Sequence, residues 1–465
     1  MKQKLLVSEN NPRLIVFFAG WGMDDNVFAS LSRPGYDLML VYDYNGDDLD
    51  ISALDNYEEI VVLAWSMGVF YANLLLRYLG DKLPFTKAVA VNGTLAPIDD
   101  RFGIPVNIYE ATMRLPDQRA VDKFFRRICG GASRMAELIK DMPDRTVDSL
   151  RDELRAIREM VETHPSSAGE AERWDEIIVS CSDAIFPPAN MLAAWGEDNP
   201  RVTLLPDAAH AVDFQGVIES VFVDKSLVGE RFGEASATYD AAAGVQRQVA
   251  ARTASIVESN LSGRRSLSVL EIGSGSGMLS KLVCPMLADS NILFRDLAPV
   301  AMPVGGGNEH RLEKCDAELS SISDQDESYD LVISSSTIQW FNSPRQSLKR
   351  MARTLKPGGL AVVSFYAKGT FAPIDDIVGL RYPVVDSGLL ESTGCDFRVE
   401  QEEVRVDYAS ARDALDALRS TGVNALRREP LGVASTREIM RRITNPDGSA
   451  SLIYNVKYIV LIKKS

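Results

Sequence analysis

The sequence predicts an α/β protein of two consecutive domains, each with a buried, largely parallel sheet. The chain has 465 residues, more than one hydrophobic core usually holds. Short apolar runs alternate with amphipathic helical stretches in both halves, as in sheets covered by helices. This alternation stops near Val221 and restarts further on. We therefore place the boundary at 225/226, which gives domains 1–225 and 226–465.

Four apolar runs predict strands in the first domain. They are "LIVFFAG" from Leu14, "IVVLA" from Ile60, "AVAVNG" from Ala88 and "EIIVSC" from Glu176. The segment 104–169, between the third and fourth runs, is charged and has helical periodicity. An all-helical insertion at this point predicts a cap over a site at the end of the sheet.

A long helical stretch, 236–261, introduces the second domain. The runs that follow predict a new α/β series with a Rossmann-like arrangement. They are "SLSVLEIGSGSG", "ILFRDL", "YDLVISSSTIQW", "LKPGGLAVVSFY" and "SLIYNVKYIVLIKK".

Charge and composition restrict the partners and the compartment. The net charge of −15 argues against broad binding to nucleic acid or to anionic membranes. The five cysteines are scattered without a C-x-x-C pair, so we expect neither a disulfide framework nor a bound metal. The chain has no apolar run of about 18 residues and no secretory pattern at its first residues, which predicts a cytoplasmic enzyme.

The stretch "LAWSMGV" places Ser66 between a strand and a helical pattern. A serine hydroxyl becomes nucleophilic when an imidazole accepts its proton and a carboxylate orients that imidazole. In α/β-hydrolases the chain order is serine, acid, histidine, with small residues flanking the serine. Gly68 meets this requirement on one side, and Ala64 adds one methyl group on the other. Asp183 and His210 follow in the required order, so we predict a Ser66–His210–Asp183 triad in an α/β-hydrolase domain.

The loop "FAGWGM" follows the first predicted strand. An oxyanion hole requires two backbone N–H groups, which we expect from Trp21 and from Met67, the residue after the serine. Gly20 and Gly22 allow this loop an unusual backbone path. Asp175 remains an alternative to Asp183 as the acid of the triad.

These motifs resemble a known family. "FAGWGM", "LAWSMGV", "SDAIFPP" and "DAAHAVDF" are similar to the biotin-pathway pimeloyl-ACP methyl ester esterases over about residues 10–220. The resemblance implies hydrolysis of an ester carried by an acyl carrier protein, with release of methanol. Ser66 would attack the ester, His210 would act as base and then as acid, and Asp183 would hold the imidazole.

The predicted cap carries basic side chains at helical spacing. They are Arg119, Lys123, Arg126, Arg127, Arg151, Arg155 and Arg158. Acyl carrier proteins are acidic, so a basic face beside the active-site mouth would attract one. The alternative is a solvated helix face whose arginines pair with Asp122, Asp148, Asp152 and Glu159.

The string "VLEIGSGSG" gives E-x-G-x-G-x-G after a strand and before a helix. These alternating glycines fit the S-adenosylmethionine pattern better than a dinucleotide-phosphate loop. A carboxylate at the end of the next strand, Asp296, can hold both ribose hydroxyls, and Asp316 is placed to accept from the adenine amino group. We therefore predict a class I methyltransferase domain with S-adenosyl-L-methionine as cosubstrate. The expected binding residues are Glu271, Gly273, Gly275, Gly277, Asp296, Asp316 and Ala317.

Three further positions remain open. Trp340 belongs either to the core or to the acceptor pocket. Tyr239 and Gln246 lie on the helix that precedes the fold, where they either cover the methyl donor or serve as ordinary core or surface residues.

The second half also resembles a known family. "RFGEASATYDAAAGVQRQVA", "DLAPVAM", "CDAE" and "SSSTIQWF" are similar to the biotin-pathway malonyl-ACP O-methyltransferases over about residues 228–465. This implies methylation of the free carboxyl of malonyl-ACP, which needs no general base because a carboxylate is already a nucleophile. Two alternatives remain: a general carboxylesterase or thioesterase fused to a small-molecule methyltransferase, and a partner-binding scaffold with an inert Ser66.

Overall fold

The computed structural model describes the chain except residues 47–48, 81, 140, 168, 262, 288, 300–309, 321–323, 379–381, 421–431 and 465. The chain divides into two compact units, Met1–Phe222 and Val223–Ser465. Within the described ranges, no helix has both the length and the apolar character that crossing a membrane requires.

The first unit contains a mixed sheet in the order β1-β3-β2-β4-β5-β6-β7. Its strands are β1 (Lys2–Val7), β2 (Arg13–Phe18), β3 (Asp37–Tyr42), β4 (Glu59–Trp65), β5 (Phe85–Val91), β6 (Glu176–Ser180) and β7 (Val202–Leu205). Only β1 runs antiparallel to its neighbour among these described strands. β3 and β4 are buried along their whole length, which explains their continuous apolar sequences.

Helices connect strands of this unit, follow β7 and occupy the long connection between β5 and β6. They are α1 (Asp25–Phe28), α2 (Gly68–Leu79), α3 (Val106–Met113), α4 (Gln118–Ile128), α5 (Ala132–Leu138), α6 (Val147–Thr163), α7 (Pro188–Trp195) and α8 (Phe214–Val221). Helices α3 to α6 form the expected helical insertion. Side-chain caps begin two of them: Asp117 accepts from Ala120 N, and Thr146 accepts from Ser149 N.

The second unit contains another mixed sheet, in the order β10-β9-β8-β11-β12-β14-β13. Its strands are β8 (Ser268–Ile272), β9 (Asn291–Asp296), β10 (His310–Lys314), β11 (Tyr329–Ser335), β12 (Leu355–Tyr366), β13 (Cys395–Tyr408) and β14 (Ala450–Lys463). The strands β8 to β12 are parallel to one another, and β14 pairs antiparallel with both β12 and β13. This is a Rossmann-like α/β sheet with an antiparallel edge, as expected for the second domain.

The first helices of the second unit include the long helical stretch, 236–261, that the sequence predicts. The helices of this unit are α9 (Lys225–Ala242), α10 (Gly244–Leu261), α11 (Met278–Val283), α12 (Ala317–Ser320), α13 (Pro344–Thr354), α14 (Asp375–Val378), α15 (Ser387–Ser392), α16 (Ala411–Ser420) and α17 (Val433–Ile443). The break at Ala243 divides the predicted helical stretch in two, and α10 packs its apolar side on the sheet core.

Candidate active sites

Ser66 lies in the tight turn between β4 and α2. Its φ of 60° is in the left-handed region, a strained conformation for a residue with a side chain. Gly68 follows the turn, and a Cβ there would overlap the backbone carbonyl of Phe18. Ala64, on the other side of the serine, is fully buried and keeps its ladder positions opposite Phe18 and Ala90. The turn therefore needs glycine at position 68 and accommodates a methyl group at position 64.

Three predicted side chains form a hydrogen-bonded chain at this turn. His210 Nε2 lies 2.9 Å from Ser66 Oγ, and His210 Nδ1 lies 2.7 Å from Asp183 Oδ2. All three residues are buried, although Asp183 and His210 reach the serine from loops more than 100 residues further along the chain. An ionised carboxylate only accepts, so the Nδ1 proton points to Asp183 and Nε2 can accept the serine proton.

The acid and the imidazole are themselves held in place. Asp183 Oδ1 accepts from Ile185 N at 2.7 Å and from Phe186 N at 2.9 Å. The Phe186 ring stacks on the imidazole with 5.8 Å between ring centroids. Asn92 Nδ2 donates to the backbone carbonyl of His210 at 2.8 Å. Asp175, the alternative acid, instead accepts from Ala88 N at 2.8 Å, and the acid in contact with His210 is Asp183.

A largely apolar cavity opens beside Ser66. Trp21 and Met67, the expected oxyanion-hole residues, both line it, and Gly20 adjoins the serine closely. Helices of the insertion provide much of the remaining wall through Ile108, Tyr109, Phe124, Arg127 and Leu154. The site thus combines a serine hydroxyl, an imidazole that can accept its proton and an apolar cavity, an arrangement that can cleave an ester.

The basic residues of the insertion fall into two groups. On α4, Arg119, Lys123, Arg126 and Arg127 are exposed. No carboxylate pairs with the first three in the described part of the chain, and Arg127 Nη2 donates to Ala184 O at 2.6 Å. On α6, the arginines are taken up locally, Arg151 by Asp148, Arg155 by Asp152 and Arg158 by Glu110. The expected alternative of paired arginines therefore applies to α6, where Asp148 and Asp152 are the expected partners and Glu110 takes the place of Glu159. It does not apply to α4.

A second cavity lies in the second unit, at the carboxyl ends of β8, β9 and β11. It is lined by six of the seven predicted cosubstrate residues, namely Glu271, Gly273, Gly275, Asp296, Asp316 and Ala317. Gly277 instead precedes the first residue of α11, outside this lining. Tyr239, Gln246 and Trp340, the positions left open by the sequence, all line the cavity as well.

Two acidic side chains of this cavity have different partners. Asp296 accepts from Gly275 N at 2.8 Å and from Ala298 N at 2.7 Å, which fixes its carboxylate at the end of β9. Burial raises its pKa, and these two N–H groups act in the opposite direction. Asp316 pairs with Lys225 Nζ at 2.9 Å. Its carboxylate is therefore oriented by a cation that the sequence patterns did not single out.

Lys225 is the main residue of this site that sequence reasoning missed. It is the first residue of α9, lines the cavity and also pairs with Glu318 at 2.9 Å. Burial alone would lower its pKa, but the carboxylates of Glu318 and Asp316 raise it. A buried lysine held between two carboxylates stays charged and links α9 to the loop that carries Asp316.

Glu271 is fully buried beneath the glycine-rich turn. Ser280 Oγ lies 2.8 Å from each of the two carboxyl oxygens of Glu271, and its hydroxyl donates to one of them at a time. Burial raises the pKa of Glu271 to about 8, the hydroxyl of Ser280 lowers it, and the charge of Asp296 adds to the increase. The carboxyl of Glu271 therefore stays protonated up to a pH of about 8 in the folded protein, whereas in the unfolded chain it loses its proton near pH 4.5.

We expect Glu271→Gln to gain stability relative to the wild type as pH rises from about 5 to about 8.5. Across this interval the wild type must keep a proton, or bury a charge, at a site where the unfolded chain is already ionised. Glutamine does not titrate, and the two proteins share all their other titratable groups. The difference between their free energies of unfolding therefore reports the ionisation of Glu271. Calorimetry of both full-length proteins at several pH values measures it, and a difference in melting temperature that does not change with pH would contradict the raised pKa.

Comparison with known proteins covers nearly the whole chain. The family model "Pimeloyl-ACP methyl esterase BioG" matches residues 1–213, and the model "Methyltransferase domain" matches residues 270–361. A malonyl-[acyl-carrier protein] O-methyltransferase of Bacteroides fragilis is 30% identical over 472 residues, covering 97% of this chain and 93% of the relative.

Two further relatives match parts of the chain. The biotin biosynthesis bifunctional protein BioHC of Cellvibrio japonicus is 24% identical and covers 68% of this chain and 66% of its own. The crystal structure of BioG from Haemophilus influenzae is 33% identical, with a TM-score of 0.40, and covers 46% of this chain and 96% of its own.

These matches confirm the predicted resemblance to a bifunctional biotin-synthesis fusion and do not favour a general esterase joined to a small-molecule methyltransferase. The near-complete alignment with the Bacteroides fragilis protein identifies the family. The chain belongs to the malonyl-[acyl-carrier protein] O-methyltransferase family and carries an N-terminal region of the pimeloyl-ACP methyl esterase type.

Proposed function

We propose that this protein is a bifunctional enzyme of biotin synthesis. Its C-terminal unit methylates the free carboxyl of malonyl-ACP with S-adenosyl-L-methionine, and its N-terminal unit hydrolyses pimeloyl-ACP methyl ester. The observation that carries the hydrolytic half is the continuous hydrogen-bonded chain from Ser66 through His210 to Asp183. We assign this unit to the α/β-hydrolases because that order of residues lies at the carboxyl ends of parallel strands.

In the hydrolytic half, Ser66 Oγ attacks the ester carbonyl while His210 Nε2 takes its proton. The backbone N–H groups of Trp21 and Met67 stabilise the oxyanion that forms. Collapse of this intermediate breaks the bond to methoxide, which leaves as methanol with the proton from His210. Water then attacks the acyl-enzyme with His210 again as base, and the products are pimeloyl-ACP and regenerated Ser66.

The second cavity fits S-adenosylmethionine. The hydroxyls of Ser274 and Ser276 are buried there without a hydrogen-bond partner among the described residues, so the cavity offers polar groups that a ligand can satisfy. Asp296 would hold the ribose hydroxyls and Asp316 the adenine amino group. The cosubstrate supplies an electrophilic methyl group when bound.

The chain itself contributes positioning to methyl transfer. A carboxylate acceptor needs no base, so binding and exclusion of water supply the catalysis. Tyr239, Gln246 and Trp340 close the cavity from the side of α9, α10 and the turn after β11. Trp340 packs edge-on against Phe232 of α9, at 5.5 Å between ring centroids, which holds this wall in place.

The partner that delivers both substrates is an acyl carrier protein, and we propose that it docks on α4. The basic side chains of α4 that lack a carboxylate partner among the described residues are followed by Arg127, which lines the Ser66 cavity. An acidic carrier on this face would therefore place its acyl chain at the mouth of an apolar groove.

We expect Arg126→Glu to raise the KM for pimeloyl-ACP methyl ester about fivefold or more at low salt, because an exposed charge contact becomes repulsive. Hydrolysis of free p-nitrophenyl butyrate should be unchanged. Lys82→Glu changes the net charge equally at an exposed site between α2 and β5 and serves as the control. Equal KM values for the two variants would exclude docking through Arg126.

The complete proposal is tested in bacteria that lack one step of pimelate synthesis. The wild-type gene should restore growth without biotin to a methyltransferase-deficient strain and to an esterase-deficient strain. Ser66→Ala should rescue only the former, and Asp296→Ala only the latter. Failure of the wild-type gene in both strains would reject the assignment to biotin synthesis.

A further inference from the structure

Glu153 is a buried carboxylate to which the hydrolytic mechanism above gives no role. It lies on α6 and has no exposed surface. Its Oε1 accepts from Tyr44 N at 3.1 Å, and its Oε2 accepts from Gly22 N at 3.3 Å. Arg145 Nη2 lies 3.2 Å from Glu153 Oε2 and 2.9 Å from Asp43 Oδ1. A side chain of the helical insertion therefore holds backbone groups of two loops at the end of the sheet.

The loop after β2 is held from the insertion at several further points. Trp21 Nε1 donates to Leu150 O at 2.9 Å, and Arg145 Nη1 donates to Met23 O at 3.1 Å. This loop contains the backbone N–H proposed as an oxyanion donor, and a Cβ on Gly20 would lie 3.1 Å from Ser66 Cβ. A displacement of the loop would therefore change the distance between that N–H and the reacting carbonyl.

Keeping a carboxylate here is costly. Burial raises the pKa of Glu153 to about 7, against the opposing effects of Arg145 and of the two N–H groups. An apolar side chain of similar volume would often give equal or greater stability at such a site. A carboxylate differs from an apolar side chain in offering two acceptors in fixed directions, one for each backbone N–H.

We propose that Glu153 is a positioning residue of the ester-cleaving site, which fixes the loop Gly20–Met23 so that the Trp21 N–H faces the oxyanion. This rests on the proposed hydrolytic function. The contact makes the oxyanion hole dependent on the helical insertion, because α6 supplies the group that orients the loop. Packing of the insertion thus determines the turnover of the site as well as the shape of its groove.

The test is Glu153→Gln in the full-length protein. Glutamine keeps the size but places an amide NH₂ against one of the two backbone N–H groups, and it leaves Arg145 with Asp43 as its remaining charge partner of the two. We expect kcat for p-nitrophenyl butyrate to fall roughly 10- to 100-fold with KM changed less than about threefold, as for a misplaced transition-state contact. Labelling of Ser66 by a fluorophosphonate should slow by a similar factor. Glu159→Gln, at an exposed position on the same helix, is the control.

The outcomes separate this inference from the proposed function. A wild type that neither hydrolyses the ester nor reacts with the fluorophosphonate would reject the hydrolytic function itself. An active wild type with an equally active Glu153→Gln, or a variant that changes KM alone, would overturn the positioning role. If Glu153→Gln does not fold, Arg145→Lys replaces it, because lysine keeps the charge but cannot span Met23 O and Glu153 together. An unchanged kcat in that variant would likewise overturn the proposal.

Discussion

Replacing Ser66 with alanine will abolish ester hydrolysis by the full-length protein and leave methyl transfer unaffected. In the proposed mechanism this residue supplies the attacking oxygen, and loss of the nucleophile from a hydrogen-bonded triad lowers kcat by about 10⁴- to 10⁶-fold. Hydrolysis of p-nitrophenyl butyrate measures the loss. Mass spectrometry after fluorophosphonate treatment should place the adduct on Ser66 in the wild type and find none in the variant.

Ser30→Ala is the matched control, since Ser30 is exposed and lies outside the Ser66 cavity. It should retain full activity and full labelling. If Ser66→Ala retained more than about a tenth of the wild-type rate, the turn between β4 and α2 would not carry the nucleophile. If the adduct lay on another serine, the hydrogen-bonded chain to Asp183 would need a different role.

Replacing Gly273 with alanine will abolish methyl transfer and leave ester hydrolysis intact. Gly273 has a φ of 75°, and a Cβ there would overlap the side chain of Thr337, with only 2.6 Å to Thr337 Cβ. Thr337 cannot retreat freely because its hydroxyl donates to Ser335 O at 3.0 Å. The turn between β8 and α11 must therefore shift, and with it the backbone that shapes the cavity.

Methylation of malonyl-ACP should fall by at least about 100-fold, and S-adenosylmethionine binding should become undetectable by calorimetry. Gly263→Ala introduces the same methyl group at a φ of 72°, but into open space at an exposed turn. It should lose a little stability and keep its methyltransferase activity. Normal binding in Gly273→Ala would show that the glycine-rich turn does not form the cosubstrate site.

The sequence allowed the residues of the hydrogen-bonded chain at Ser66 to be predicted because the α/β-hydrolase pattern sets the order serine, acid, histidine. With three histidines in the whole chain, the position after Asp183 left one candidate in the first half. Glu153 could not be found in this way. Its partner Gly22 is 131 residues away, and nothing in the sequence around α6 distinguishes this glutamate from its charged neighbours.

The strands also differ in whether the local sequence predicts them. The apolar run of β3, "DLMLVY", is typical of a buried strand but is not one of the four runs from which strands are predicted above. β13 offers no such signal, because it is an edge strand in which polar and charged residues predominate. Its position follows from pairing with β14, a long-range interaction that local patterns do not encode.

The junction between the two units limits how this protein can be divided into separate enzymes. Phe222 belongs to the core of the first unit, whereas Val223 N donates to Asn342 Oδ1 at 2.7 Å and Asp224 caps α9. A fragment that starts at residue 226 would lose these two contacts together with Lys225, and hence the cation that orients Asp316. Separate expression of the two activities, or their recombination with other partners, therefore requires a cut between residues 222 and 223.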